Sequence, residues 1–233
     1  MKLNLQELEL FSQCPRYYWE KKISPVRDRQ FAIITHVIKK CYITATETQF
    51  KATWRTVVGW VDALVFKNIS LDNDEAFQSA KSVSEYALIA LQSWYHSYYL
   101  EENLNVFTDL DLGLEDRYYF YDKIDAIQLS NPVRLIVFTR EDITPRSIKN
   151  NLRNRGQCVL VSSNLDCKDL MLRVHSIKER GGFTTFEKPI DTLDNNRVQK
   201  IMVSIGQSIE RKVNYPSRTS ACNQCQLDRR CRL

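Results

Sequence analysis

Apolar residues recur at helical spacing over residues 4–22, where Leu5, Leu8, Phe11 and Tyr18 mark one face. Pro15 interrupts that stretch and predicts a break, or a second helix start, directly after Cys14. A second apolar-periodic stretch covers 30–48, with Phe31, Ile34, Ile38 and Tyr42. A third, over 49–68, is rich in Trp and Val, and Asn68 to Asp74 reads as a loop. Residues 74–99 predict a long helix with Phe77, Ala80, Val83, Ala87, Leu91, Trp94 and Tyr98 on one side. The period then shortens to two. Val106–Leu114, Arg117–Leu129 and Pro132–Thr139 read as three consecutive strands, the last after a turn at Ser130 and Asn131. The stretch after Pro145 reads as a helix, and Gln157–Ser162 fits either its continuation or a short strand. Leu170–Lys178 and Phe183–Glu187 flank Gly181 and Gly182 and predict a hairpin. A last helix spans 191–212, with Leu193, Val198, Ile201, Ile205 and Ile209. This order predicts an α+β chain with one mixed central sheet flanked by helices. It is expected to form a single domain: a helical part over 1–100, a sheet core over 101–190, and a helix with a cysteine-rich tail over 191–233.

Composition is that of an ordinary globular protein, and no run approaches the roughly 18 apolar residues a membrane helix needs. The first ten residues are acidic and amphipathic and lack the apolar stretch of a signal peptide. A cytoplasmic location with reduced cysteines is expected. The net charge is +5. Basic residues gather over 146–155, where Arg146, Lys149, Arg153 and Arg155 are the candidate nucleic-acid contacts, while 101–116 is acidic. Such a distribution suits DNA; a mixed solvated surface is the plain alternative.

The cysteines change the picture most. Seven is an odd number, against a complete disulfide framework. Cys222, Cys225 and Cys231 place three thiolates within ten residues. Zinc and iron–sulfur centres usually take four protein ligands, so a fourth is required from elsewhere, and Cys14 is the candidate. Such a centre clasps the two ends of the chain together. Cys41, Cys158 and Cys167 lie among apolar neighbours and read as buried small residues.

Cys14-Pro15-Arg16-Tyr17-Tyr18, the three-cysteine tail after Tyr215-Pro216-Ser217, and a meander containing Lys123-Ile124-Asp125 together resemble the RecB/AddB-type PD-(D/E)XK nucleases that carry an iron–sulfur cluster, the CRISPR-adaptation exonucleases among them. The resemblance follows the order of elements over nearly the whole chain, and the cysteine set is its most specific part. It implies a restriction-endonuclease-like core and a 4Fe–4S cluster on Cys14, Cys222, Cys225 and Cys231. Sulfur-only coordination also suits a structural zinc. It further implies a Mg²⁺ or Mn²⁺ site that stabilises phosphate charge and activates water.

Matched one by one, His36 falls at the family's early histidine and Asp109 or Asp111 at its first acid. Asp125, a charge between Ile124 and Ile127, matches its strand aspartate. The family's next motif, Asp-x-Lys, fails here: Phe138-Thr139-Arg140 stands in its place. Phenylalanine cannot bind a metal, and arginine titrates too high to act as a base. Glu141 or Asp142 is the available substitute. The resemblance with this departure implies a DNA-binding protein of nuclease fold with impaired cleavage, in DNA processing, recombination or a phage or mobile-element setting. The alternatives are an active exonuclease with a shifted metal ligand, and a structural or adaptor protein reusing the fold. For the adaptor, Trp94, Tyr95, Tyr98 and Tyr99 are a candidate surface for a protein partner.

Overall fold

A computed structural model describes residues 1–21, 37, 40, 41, 44, 53–68, 78, 81–89, 91, 92, 105, 106, 109–139, 143–177 and 183–214. The chain opens with a short strand, β1 (Lys2–Asn4), that runs directly into α1 (Leu5–Gln13). Asn4 ends the one and caps the other. Its side chain accepts from the Gln6 amide at 2.8 Å, and Glu7 accepts from the Asn4 amide at 3.2 Å. This reciprocal pair satisfies donors that a helix start leaves open. Cys14 is extended, and α2 (Pro15–Lys21) begins at the proline, as the sequence predicts. At a first helical position the missing proline N–H costs nothing. α3 (Trp54–Asn68) and helical residues 81–89 follow. Most of 30–48, the loop after Asn68, and Trp94, Tyr95, Tyr98 and Tyr99 lie outside the described residues.

The predicted meander is present but divided. Its first strand is split into β2 (Asn105–Val106) and β3 (Asp109–Leu114), its second into β4 (Tyr118–Lys123) and β5 (Ala126–Gln128), and its third is β6 (Val133–Thr139). The hairpin is β7 (Leu170–Ile177) with β8 (Phe183–Ile190). Among the described residues the strands form two sheets, not one, in the orders β1-β4-β3 and β2-β5-β6-β7-β8. Each is mixed: β1 runs parallel to β4, β6 runs parallel to β7, and the other pairs are antiparallel. The sheets part at Ile124 and Asp125, where the long strand expected from Arg117 to Leu129 is interrupted. At the break the Phe138 amide donates to Asp125 Oδ2 at 2.9 Å. A side chain there takes a donor that a continuous ladder would give to backbone.

The parallel pair β6 and β7 is joined by helices, as such a pair requires: α4 (Pro145–Asn150) and α5 (Leu152–Leu165). Gln157–Ser162 is therefore helix, not strand. Asn151 starts α5 by accepting from the Asn154 amide at 2.8 Å, and Asp166 ends it in a left-handed conformation, φ 46°. The last helix, α6 (Thr192–Glu210), is capped by Asp191.

α5 sits at the centre. One side meets β3, β6 and β7, and the other meets α1 and α6. Its contact with α1 is close because residue 156 is glycine: a Cβ there would lie 2.9 Å from both methyls of Leu5. On that side Leu5, Leu8, Phe11, Tyr118, Phe120 and Met202 form one apolar cluster. On the other, Leu135, Val137, Leu172 and Val174 form a second with Ile124 and Ile127.

Candidate carboxylate site at the strand break

The side chains of β4 alternate. Tyr118, Phe120 and Asp122 point inward, and Tyr119, Tyr121 and Lys123 point to solvent. Asp122 thus continues a row of buried aromatics with a carboxylate that is 3% exposed. A charge at that depth is tolerated only with partners. They come from α5, where Arg153 and Gln157, four residues apart, share one helix face.

Arg153 Nε donates to Asp122 Oδ2 at 2.8 Å and Nη2 to Oδ1 at 3.2 Å, the two-pronged geometry a guanidinium offers a carboxylate. Gln157 Nε2 donates to Oδ2 at 2.8 Å, and the Lys123 amide donates to Oδ1 at 2.9 Å. Each oxygen accepts two bonds, which fills the roughly four acceptor positions of a carboxylate. Burial works against the Arg153 charge. The hydrogen bonds to Asp122, its charge, and then those of Asp125 and Glu9 outweigh burial and raise the guanidinium above its ordinary range. Gln157 is 1% exposed, and its carbonyl Oε1 has no hydrogen-bond partner.

At the carboxyl ends of β6 and β7 the interior is of another kind. Phe138 is buried, and its ring centre lies 5.3 Å from that of His175. His175 Nδ1 lies 2.8 Å from Thr185 Oγ1. Burial, helped by the charge of Arg173, pushes the imidazole down to about 3, so it is neutral at physiological pH. Arg173 itself is buried and paired with Glu187 across the β7–β8 ladder.

The sequence-predicted residues fall as follows. Asp125 is half-buried at the break and holds the Phe138 amide. Asp109 and Asp111 are exposed on the outer side of β3, cross-strand from Lys123 and Tyr121. That is the side opposite Asp122. Among the described residues no three of His, Cys, Asp and Glu come together as a metal site. His36, Arg140, Glu141, Asp142, Cys222, Cys225 and Cys231 lie outside the described residues.

Of the basic candidates, Arg146 is exposed, Arg153 is bound to Asp122, and Arg155 lies 4.0 Å from Asp194. The side chain of Lys149 is outside the described residues. Cys14 is buried between α1 and α2. Five residues on, Trp19 Nε1 donates to the Val213 carbonyl at 2.8 Å, so the end of α6 lies against α2. Cys41 and Cys158 are fully buried, and burial pushes both thiols up to about 12, as inert core residues require. Cys167 is half-exposed.

Asp122, Gln157 and the inward turn of Arg153 are absent from the sequence-predicted site. One signal was available, the spacing of Arg153 and Gln157 by one helical turn; the run Tyr118-Tyr119-Phe120-Tyr121 before Asp122 shows no phase in the sequence.

No family model matches the chain, and no curated protein matches it. Among solved structures it is similar to a protein from Eubacterium rectale named "Putative exonuclease", with 11% identity and a TM-score of 0.52, over 100% of this chain and 88% of that one. A looser likeness to the crystal structure of SSO0001 has 12% identity and a TM-score of 0.40, over 99% of this chain and 85% of that one, and carries no argument. At such identities it is the fold that is shared: an α+β arrangement of mixed sheets flanked by helices.

Proposed function

We propose that this is a DNA-binding protein built on a nuclease-like fold with a reduced cleavage centre. The fold likeness to a protein named as an exonuclease supports the first half of that reading. The observation that carries the second is Phe138. It stands where the resemblance requires a metal-binding acid, it is buried against His175, and its amide occupies Asp125 Oδ2. One carboxylate tied to a backbone amide is a weak ligand set for a hard cation that wants several oxygens.

We further propose that Cys14, Cys222, Cys225 and Cys231 hold a 4Fe–4S cluster that fixes the two ends of one domain. Support comes from the Trp19–Val213 bond, which sets the start of the tail beside the helix that Cys14 precedes. The donor set is all sulfur, which suits the cluster. The DNA contacts are assigned to exposed basic residues headed by Arg146, and the setting to DNA processing or a mobile element.

The test is direct. Fluorescence anisotropy with a DNA duplex and a single strand should show affinity that falls as salt rises. The same DNA incubated with Mg²⁺ or Mn²⁺ should stay intact. Cleavage that Asp125→Ala abolishes would show an active nuclease. Absence of DNA affinity at low salt would refute the binding role. An anaerobic preparation should be brown and absorb near roughly 400 nm, as iron–sulfur centres do; a colourless one that contains zinc would remove the cluster.

A further inference from the structure

Asp122 is the most buried carboxylate described, and its surroundings are complete. Two acceptor positions on each oxygen are filled by Arg153 Nε and Nη2, Gln157 Nε2 and the Lys123 amide, all within 3.2 Å. A divalent ion binding this carboxylate would have to displace a donor. The displaced guanidinium would remain nearby, with side-chain exposure of 34%, repelling the ion. Among the described residues the partner of the guanidinium is Asp122 alone, held by two of its nitrogens. A second observation lies beside it. Gln157 Oε1 is buried and without a donor. A half-turn of the amide would bring that oxygen to where Nε2 now stands, next to Asp122. A carboxylate and a carbonyl are oxygen ligands that hard cations accept.

We infer that Arg153 is the built-in cation of this site: its guanidinium takes the place of a divalent metal ion beside Asp122 and keeps such an ion out. The inference rests on reading the centre as reduced, and it deepens that reading by naming what neutralises its buried carboxylate. It also removes Arg153 from the DNA contacts.

The experiment uses the full chain, with Mn²⁺ as the probe, read by electron paramagnetic resonance and thermal unfolding. The wild type and D122N should bind equally little Mn²⁺ at millimolar concentration. R153M should lower the melting temperature by roughly 6–20 °C, because it strands a buried carboxylate. Mn²⁺ should recover part of that loss and bind stoichiometrically. In D122N/R153M most of the loss should disappear without metal, and Mn²⁺ should do nothing.

Three results would overturn the inference. One is Mn²⁺ binding by the wild type that D122N abolishes. Another is equal destabilisation of R153M and D122N/R153M, which would mean that the Arg153 stem, not its charge, matters. The last is R153M rescued by D122N but indifferent to Mn²⁺, which would mean that no divalent ion fits. If R153M yields no folded protein, R153Q and D122N/R153Q, which also remove the charge, replace the pair; smaller shifts in the same directions are expected, and the same three results would overturn the inference. DNA cleavage is not a readout here. An enzyme working through Asp125 and Glu141 would defeat the proposed function while leaving this inference standing.

Discussion

The two sheets of this protein solve burial differently. The sheet β1-β4-β3 has one wet side: Tyr119, Tyr121, Lys123, Asp109 and Asp111 face solvent while Tyr118 and Phe120 face α1 and α6. Polar residues on its outer face keep their contact with water. In β2-β5-β6-β7-β8 the central strands are covered on both sides, and β7 is buried at every position from Leu172 to Ser176. Polar residues there must be served individually, as Arg173 is by Glu187 and His175 by Thr185. The same residue type is therefore incidental in one sheet and a fixed structural requirement in the other. The carboxylate site lies where the two regimes meet, at Ile124 and Asp125.

Substitutions should separate the two sheets. The largest effect should come from Phe120→Ala, which removes a fully buried ring from the inner side of the first sheet. A loss of about 3–5 kcal/mol by urea unfolding is expected; a loss under about 1 kcal/mol would show that the two sides of this sheet are not so different. Next is Gly156→Val, which forces atoms into the Leu5 side chain. The expected cost is about 1–3 kcal/mol, and an unchanged midpoint would refute the close α1–α5 contact.

His175 gives a pH-dependent effect in the second sheet. Its folded pKa, about 3, lies below the ordinary value of 6.5, so between these values the unfolded chain takes up a proton that the folded chain refuses. Stability should fall as pH drops below about 6.5, by up to about 1.4 kcal/mol per pH unit, and this residue should contribute no slope above it. His175→Gln should flatten that acid limb in unfolding free energies measured from pH 7 to 4; parallel curves for the two proteins would show the histidine is not buried neutral. The smallest effect should come from Tyr121→Ser on the wet side. It loses mainly the contact with Lys2, whose Nζ lies 5.0 Å from the ring centre. About 1 kcal/mol or less is expected, and a larger loss would mean that this side is covered in solution.

These two regimes also decide what was legible in the sequence. Amphipathic helices and a half-wet strand advertise themselves by period, so α1, α6, β3, β4 and the hairpin stand close to where the pattern puts them. The break at Cys14 and Pro15 was legible because proline constrains the backbone on its own. β1 was not, since three residues are too few to show an alternation, and only the pairing of Leu3 with Phe120 makes it a strand. The division into two sheets was hidden for a similar reason: it goes with a hydrogen bond between residues 125 and 138. At the site, Asp125 drew attention as a charge among isoleucines, while Asp122, the deeper carboxylate, stood among tyrosines that look equally suited to either face. The basic run after Pro145 showed where cations gather but not that Arg153 turns inward, because a run of like charges carries no direction.

The apolar cluster beneath α1 is assembled from residues 3–18, 118–120, 152–160 and 198–209. On the ribosome these segments emerge in sequence. At about 5–20 residues per second, α1 precedes α6 by roughly ten to thirty-five seconds. Throughout that interval Leu5, Leu8 and Phe11 have no finished core to enter. α1 is thus made well before α6 and waits for it with part of its apolar face uncovered.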